Sequence, residues 1–343
     1  MKISLGSKIF KGPWGGGNNF VKNLSNYLKK KQCSVHFDLN EKDLDLILLT
    51  DPRKESQSAC YNHIDIYNYI NKVNSNVLVV HRINECDERK NTKNVNKQII
   101  NANQFSDFSI FISGWLKNLY TKYKNFPNSK IIYNGANLDF FFNKSRNIEK
   151  NEKFKLVTHH WSNSKNKGFH IYKMIDEKLD NEEFNKKIMF TIIGNIPKDM
   201  QFKNIKHIKP LFDKDLGDAL RNNHAYITAS TNEPGGNHQN EGINCGLPAL
   251  YINSGCMKEY CEGFGIEYNK NNLFNKIFEM IENYDVLNKQ TFNYSLNQSS
   301  MCAQYFEVFT KLFNNKHNVI HNRNWPKIKK FELFKNKIRK IIN

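Results

Sequence analysis

Short apolar runs alternate with longer amphipathic segments along the first part of the chain. The runs are rich in Val, Ile and Leu, which is typical of buried parallel strands, whereas the segments between them have the length and spacing of helices. The predicted strands are 2–5, 34–39, 44–49, 76–83, 108–112 and 130–133, and the predicted helices are 18–31, 61–73, 94–105 and 114–123.

The same alternation begins again after a polar stretch at 143–151. Its predicted strands are 155–160, 189–194, 205–209, 225–230 and 249–253, and the chain from 271 onward is helical in character. This order of elements predicts the α/β class, with two doubly wound, Rossmann-like domains that face each other across a cleft. With 343 residues, the chain is long enough for two domains. We expect the first at 1–145, the second at 146–318 and a basic helical segment at 319–343.

The chain is strongly basic, with 51 Lys and Arg against 33 Asp and Glu and a formal net charge of +18. Such a charge attracts phosphates, anionic lipid and nucleic acid. Lysines are spread over the whole sequence, however, and no zinc-finger, helix-turn-helix or RNA-binding aromatic motif accompanies them, so no specific nucleic acid partner is expected. Charge alone supports one alternative, a nonenzymatic basic adaptor that binds nucleic acid or anionic membrane.

Seven dispersed cysteines without a C-x-x-C pair favour reduced thiols over a disulfide framework or a zinc site. The sequence has no apolar run of membrane-spanning length and no signal-peptide pattern, so we expect a cytoplasmic protein. The segment 325–343 combines aromatic residues with clustered bases. It is compatible with a helix on an anionic membrane at the inner face of the plasma membrane, and equally with a solvated helix.

The most informative segment is 230–255, in which Glu233 and Glu241 are separated by seven residues. A strand precedes Glu233 and a helix start follows, so both carboxylates lie in or just after a strand-to-helix loop. Such loops bind ligands at the carboxyl ends of parallel strands, and glycines let backbone amides approach an anion. We expect a diphosphate to rest on this loop while one glutamate binds a sugar and the other a ribose. The loop residues expected at the diphosphate are Gly235, Gly236 and Asn237.

This spacing resembles the Glu, seven residues, Glu signature of retaining GT-B glycosyltransferases, particularly family 4. The glycine-rich segment 13–20, the segment 133–141 and the segment 158–169 resemble further stretches of that family, in the family's order. The resemblance implies transfer of a hexose-like sugar from a nucleotide-diphosphate sugar to a glycan or lipid-linked acceptor, with retention of the anomeric configuration. It further implies a role in polysaccharide or glycolipid biosynthesis, with no cofactor other than the donor substrate. A GT-B sugar-nucleotide epimerase, which needs no acceptor, is a second alternative.

The resemblance also assigns residues. Glu233 binds the donor sugar, Glu241 the ribose, and Lys167 the distal phosphate, where it stabilises the charge of the leaving diphosphate. Family members carry an arginine five residues before this lysine, where this chain has Ser162, so Ser162 or Lys165 is expected to substitute for it. Backbone amides of the glycine-rich loop are expected at the phosphates, through Gly16 and Gly17.

Histidines and nearby charges in both halves have competing interpretations. By family analogy His81 contacts the donor sugar; the alternative is a buried structural histidine. Arg82, Asp87 and Arg89, in the segment that follows, bind acceptor or form loop ion pairs. His159 and His160 are neighbours on one strand and point to opposite faces, so no metal site is expected there.

Overall fold

The computed structural model describes residues 1–10, 15–53, 56–144, 148–149 and 151–329 together with Leu333 and Asn336. The chain divides into two compact units. The first comprises Met1–Asp87, Asn91–Ile132 and Cys302–Asn343, and the second comprises Glu88–Lys90 and Tyr133–Met301. The domain boundaries at 145/146 and 318/319 stay predictions.

The first unit is built on a parallel sheet, which has six strands in the part of the chain that is described. Its strand order is β2-β1-β3-β4-β5-β6, so the direction of winding reverses between β1 and β3. The central strand β3 is apolar at every position because helices cover both faces of the sheet. The strands are β1 (Lys2–Leu5), β2 (Ser34–His36), β3 (Leu46–Leu49), β4 (Leu78–Ile83), β5 (Phe108–Phe111) and β6 (Ser129–Ile131).

Four of the described helices that connect these strands bury apolar side chains, whereas the four-residue helix Asp87–Lys90 buries none. In the second of them, the Asn62 side chain accepts from the amides of Ile64 and Asp65, and Asp65 accepts from the Asn62 amide, which closes a capping box. The helices up to residue 121 are α1 (Gly15–Lys30), α2 (His63–Lys72), α3 (Asp87–Lys90), α4 (Val95–Asn103) and α5 (Gly114–Thr121).

The predicted start of the first helix, at residue 18, is three residues late. Helix α1 begins at Gly15, so Asn18 lies in its first turn. The Asn18 side chain instead accepts from the Phe10 amide at 2.8 Å and donates to the Phe10 carbonyl at 3.0 Å. This paired contact joins Phe10 to the first turn of α1.

The second unit has the same architecture, with strand order β12-β11-β10-β7-β8-β9 among the residues described. The chain winds outward from β7 through β8 and β9, then returns to place β10 on the other side of β7. The point at which the winding reverses therefore lies between β7 and β10. The strands are β7 (Phe154–His160), β8 (Ile188–Gly194), β9 (Lys206–Ile208), β10 (Ala225–Thr228), β11 (Ala249–Ile252) and β12 (Gly265–Tyr268).

Helices on both faces of this sheet close a large core in which Leu156, Phe190, Ile227 and Leu250 are fully buried. A short 3-10 turn, Lys165–Lys167, precedes the first of them. The helices of this unit are α6 (Phe169–Lys178), α7 (Glu182–Lys187), α8 (Asp213–Arg221), α9 (His238–Asn244), α10 (Met257–Cys261), α11 (Leu273–Glu282) and α12 (Tyr284–Thr291). The chain continues into α13 (Gln298–Asn314) and α14 (Lys316–His321).

Described residues after α14 make polar contacts within the first unit. The Arg323 guanidinium forms a paired contact with the Asp107 carboxylate, at 2.8 and 2.7 Å, and Asn336 donates to Asp65 at 2.8 Å. Most of the basic segment 325–343 lies outside the described residues. Within the described ranges, no helix has both the length and the apolar character needed to cross a membrane.

The predicted α/β class with two doubly wound parallel sheets is confirmed.

Candidate functional site

The candidate site lies where the winding of the second sheet reverses. Adjacent strands β7 and β10 are parallel, so the loops that follow them leave the same edge of the sheet. A hydrogen bond of 2.8 Å from the Thr231 amide to the Asn166 carbonyl joins these two loops. In open α/β sheets the crevice at such a reversal is the usual ligand-binding position.

A buried ion pair connects the two loops. The ammonium nitrogen of Lys167 lies 2.6 Å from Oε2 of Glu233, and the two side chains are only 11% and 5% exposed. Lys167 is placed by the short turn after β7, and Glu233 by the loop after β10. Both residues are predicted at this edge, with different groups of the ligand as partners, and the structure brings them into direct contact.

Arg89 supplies a second cation to the same carboxylate. Its Nε lies 3.4 Å from Oε1 of Glu233. Two side-chain amides hold the backbone at Arg89 and at the residue before it. Asn166 donates to the Arg89 carbonyl, and Asn232 donates to the Glu88 carbonyl at 3.4 Å. The segment Glu88–Lys90 is thus attached to both loops that carry the site.

Two glycines pack closely against Glu233, where a larger residue would not fit. A Cβ atom on Gly255, which has a positive φ of 64°, would come within 2.4 Å of the Glu233 backbone, and one on Gly236 would come within 3.0 Å of Glu233 Cγ. The Cys256 amide donates to the Glu233 carbonyl at 2.8 Å. Any side chain at Gly255 would therefore displace the loop that presents the carboxylate.

The charge state of Glu233 follows from these neighbours. Burial favours the neutral acid, but the positive charges of Lys167 and Arg89 outweigh burial and lower the pKa of Glu233 from 4.5 to about 2. Glu233 is consequently an ionised carboxylate at neutral pH, and acts as a hydrogen-bond acceptor rather than as an acid.

The second glutamate has its own partner. Oε2 of Glu241, on α9, lies 2.7 Å from Nε2 of His159, the residue before the end of β7. Nδ1 of His159 lies 3.2 Å from the Tyr226 hydroxyl, which in turn accepts from the His159 amide at 3.1 Å. An Nε2–H tautomer of His159 satisfies both contacts, since it donates to the carboxylate and accepts from the hydroxyl.

Two further histidines lie beside this network and are neutral. His238 accepts from or donates to the Thr228 hydroxyl at 2.9 Å, and His160 contacts the Tyr172 hydroxyl at 2.8 Å. Burial and the nearby positive charge lower the pKa of each well below 6.5. His159 and His160 do face different partners, as neighbours on a strand must.

The remaining predicted residues of this unit surround the pair. Gly235 is half-buried, and its carbonyl accepts from Asn134 Nδ2 at 2.7 Å. Asn237 adopts a helical conformation before α9, and its Oδ1 is buried without a hydrogen-bond partner among the described residues. Ser162 accepts from the Ser164 amide at 3.2 Å, and Lys165 is exposed.

Three predicted residues belong to the first unit. Gly16 and Gly17 lie in the first turn of α1 rather than in a loop, and a Cβ at Gly17 would meet nothing within 4 Å. Residues 11–14, which include the first two positions of the glycine-rich segment 13–20, lie outside the described residues. His81 lies within β4, which continues to Ile83. It is fully buried, its Nδ1 lies 3.3 Å from Asn103 Nδ2, and burial lowers its pKa to about 3. These contacts favour the alternative of a buried structural histidine.

Sequence reasoning missed the partners of the two glutamates. Arg89 is predicted to bind acceptor or to form a loop ion pair, and the prediction for His159 is only that it belongs to no metal site. The position of His159 near the end of a central strand was the available signal, because strand ends at this edge face the same loops. In the described part of the chain, no group of three or more His, Cys, Asp or Glu is arranged to hold a metal ion.

Comparison with known proteins identifies the fold. No protein-family model and no curated protein matches the chain. Among solved structures, sucrose-phosphate synthase from Thermosynechococcus elongatus is 14% identical with a TM-score of 0.65, covering 92% of this chain and 99% of that one. Anabaena HepE in complex with UDP is 15% identical with a TM-score of 0.67, covering 91% and 100%. A glycosyltransferase from Rickettsia africae is 13% identical with a TM-score of 0.65, covering 92% and 99%. The fold is that of GT-B glycosyltransferases, as predicted.

Proposed function

We propose that this protein is a glycosyltransferase that moves a hexose-like sugar from a nucleotide-diphosphate sugar to an acceptor hydroxyl, with retention of the anomeric configuration. The observation that carries the proposal is the pair of carboxylates, Glu233 and Glu241, that flank one strand-to-helix loop at the winding reversal of the second sheet. Each is held by a basic partner, and both are positioned as acceptors for hydroxyl groups.

The donor is proposed to lie along this loop. Carboxylates bind vicinal hydroxyls, and the backbone of Gly235 and Gly236 offers close approach to a diphosphate. Solved HepE structures hold UDP, UDP-glucose, and UDP with glucose, which supports a uridine or related nucleotide as donor. In our proposal Glu233 binds the sugar, Glu241 the ribose and Lys167 the phosphate that leaves.

In this proposal the residues act by stabilising the charge that develops on the leaving diphosphate. As the glycosidic bond breaks, the sugar develops oxocarbenium character and the diphosphate gains negative charge. Lys167 stabilises that charge through a hydrogen bond to an ionised oxygen, and the departing phosphate oxygen accepts the proton of the acceptor hydroxyl. No covalent intermediate on Glu233 is needed, and its place in an ion pair suits a binding role better than a nucleophilic one.

The first test is a thermal-stability screen of nucleoside diphosphates and their sugar derivatives. A ligand present at 100 times its dissociation constant stabilises the folded state by about 2.7 kcal/mol. The donor so identified is then incubated with glycan and lipid-linked acceptors, and the product linkage is determined by NMR.

A product with the anomeric configuration of the donor supports a retaining transferase. An inverted product contradicts retention, and conversion of the sugar nucleotide without an acceptor supports the epimerase alternative. If no nucleotide stabilises the protein and no donor is consumed, the proposed function is wrong.

A further inference from the structure

One buried carboxylate is held by cations on both of its oxygens. Lys167 contacts Oε2 of Glu233 at 2.6 Å, and Arg89 faces Oε1 at 3.4 Å. Guanidinium and ammonium groups bind an ionised carboxylate, and they bind two oxygens of a phosphate group in the same way. The arrangement around Glu233 therefore has the chemistry of an oxyanion site in which the protein's own carboxylate is bound.

Arg89 is held at this place by more than its ion pair. Amide groups of Asn166 and Asn232 donate to the carbonyls of residues 89 and 88, respectively. Asn166 is the neighbour of Lys167, and Asn232 is the neighbour of Glu233. The backbone at Arg89 is thus fastened to both of the loops that present the ion pair.

Lys165 and Ser162, which were expected to substitute for the family arginine, are less suited than Arg89 to bind a phosphate. Lys165 is exposed on the turn, whereas Lys167, two residues on, is buried. Ser162 carries no charge and its hydroxyl accepts from the Ser164 amide. A guanidinium, in contrast, is always charged and offers five donors in a planar fork that matches a phosphate.

We propose that Arg89 and Lys167 together bind one oxyanion, the distal phosphate of the donor, and that the Glu233 carboxylate competes with it for the two cations. This inference rests on the proposed function, because it names a residue that binds the donor at the same site. When phosphate binds, Glu233 shares the cations with a second anion, and its carboxylate turns to a hydroxyl of the sugar.

The experiment measures binding of inorganic diphosphate by isothermal titration calorimetry at low ionic strength, where charge contributions are least screened. Arg89→Gln is expected to weaken binding by about tenfold to a hundredfold, the usual effect of losing a charge-assisted hydrogen bond. Glu233→Gln removes the competing charge at nearly constant shape, and is expected to tighten binding by about threefold or more.

Arg221→Gln is the matched control. It makes the same substitution and removes the same charge as Arg89→Gln. Arg221, however, ends α8, which leads into the amino end of β10, at the opposite edge of the sheet. Binding of diphosphate to this variant is expected to stay within about twofold of the parent protein, since the attraction between charges falls with distance. Circular dichroism at the assay temperature verifies that each variant is folded.

Diphosphate binding that is unchanged in Arg89→Gln, or that is not tightened in Glu233→Gln, overturns the inference, as does a parent protein that binds no diphosphate. Two further outcomes distinguish failure of this inference from failure of the proposed function. If the variants behave as expected but no sugar is transferred from any donor, the oxyanion site stands and the transferase proposal falls. If transfer occurs while Arg89→Gln binds diphosphate normally, the transferase proposal stands and the role of Arg89 is wrong.

Discussion

Nε2 of His159 lies 2.7 Å from a carboxylate oxygen of Glu241, and this contact fixes the direction in which the second glutamate of the loop presents its other oxygen. His159 is itself held by Tyr226 through Nδ1 and through its backbone amide. The imidazole thus acts on Glu241 from the rigid central strand β7 and is a positioning residue for the proposed ribose contact.

We predict that His159→Leu weakens nucleoside diphosphate binding by about tenfold, because Glu241 loses a charge-assisted hydrogen bond and adopts several rotamers. His159→Gln keeps a donor near the Nε2 position and should recover most of the affinity. Calorimetric titration with the preferred nucleotide measures both. A purely structural role would be contradicted by this rescue, and equal losses in the two variants would contradict a positioning role.

The two glutamates are predicted to differ in the step they affect. Glu241→Ala should chiefly weaken nucleotide binding, because ribose contacts persist through the reaction, whereas Glu233→Ala should chiefly slow transfer, because sugar contacts change. Steady-state kinetics with saturating donor separates KM from kcat. Equal losses of donor affinity in both variants would refute this division.

Most of the fold followed from hydrophobic pattern alone, because strands of a covered parallel sheet are continuous apolar runs. Strand β3, for example, is Leu-Ile-Leu-Leu and is buried throughout. Strand β12 was not predicted, since it is short and carries an exposed Glu267 between its buried positions. The start of α1 was misplaced because its first turn consists of three glycines, which favour a loop when read without tertiary context.

The candidate site was predictable in part. The sequence places Lys167, Glu233 and Glu241 in segments that follow two strands, and the segments that follow parallel strands begin at one edge of a sheet. It does not encode which side chains pair, so the contacts of Arg89 and His159 with the two glutamates emerged only from the three-dimensional arrangement. Those contacts join residues distant along the chain, and no local spacing reports them.

Lys167 is predicted to matter most for the chemical step. Lys167→Ala should lower turnover by about 10²–10³, the usual cost of losing a preorganised donor to a developing oxyanion. The same change leaves Glu233 buried with one cation fewer, so thermal unfolding should show a loss of stability as well.

Lys165→Ala is the matched control from the same turn. This exposed residue should contribute less, and the double variant should then lose about the product of the two single effects. A larger or smaller combined loss would mean that the two lysines share the phosphate. A folded Lys167→Ala protein that transfers sugar at the parent rate would refute the phosphate assignment.

Stability at low pH gives a test that needs no ligand. The folded-state pKa of Glu233 is lowered from 4.5 to about 2, so the unfolded chain binds a proton more readily than the native protein. Its contribution to the free energy of unfolding is therefore fully present above pH 4.5 and is lost as the pH falls through about 2. For a shift of this size the contribution is about 3 kcal/mol at neutral pH. Urea unfolding of the parent protein and of Glu233→Gln is measured in steps from neutral pH to the lowest pH at which both remain folded, and the difference in stability between the two follows this contribution. The difference in stability between the two should shrink steadily below pH 4.5, and a difference that stays constant over this range would show that Glu233 is not held ionised by Lys167 and Arg89.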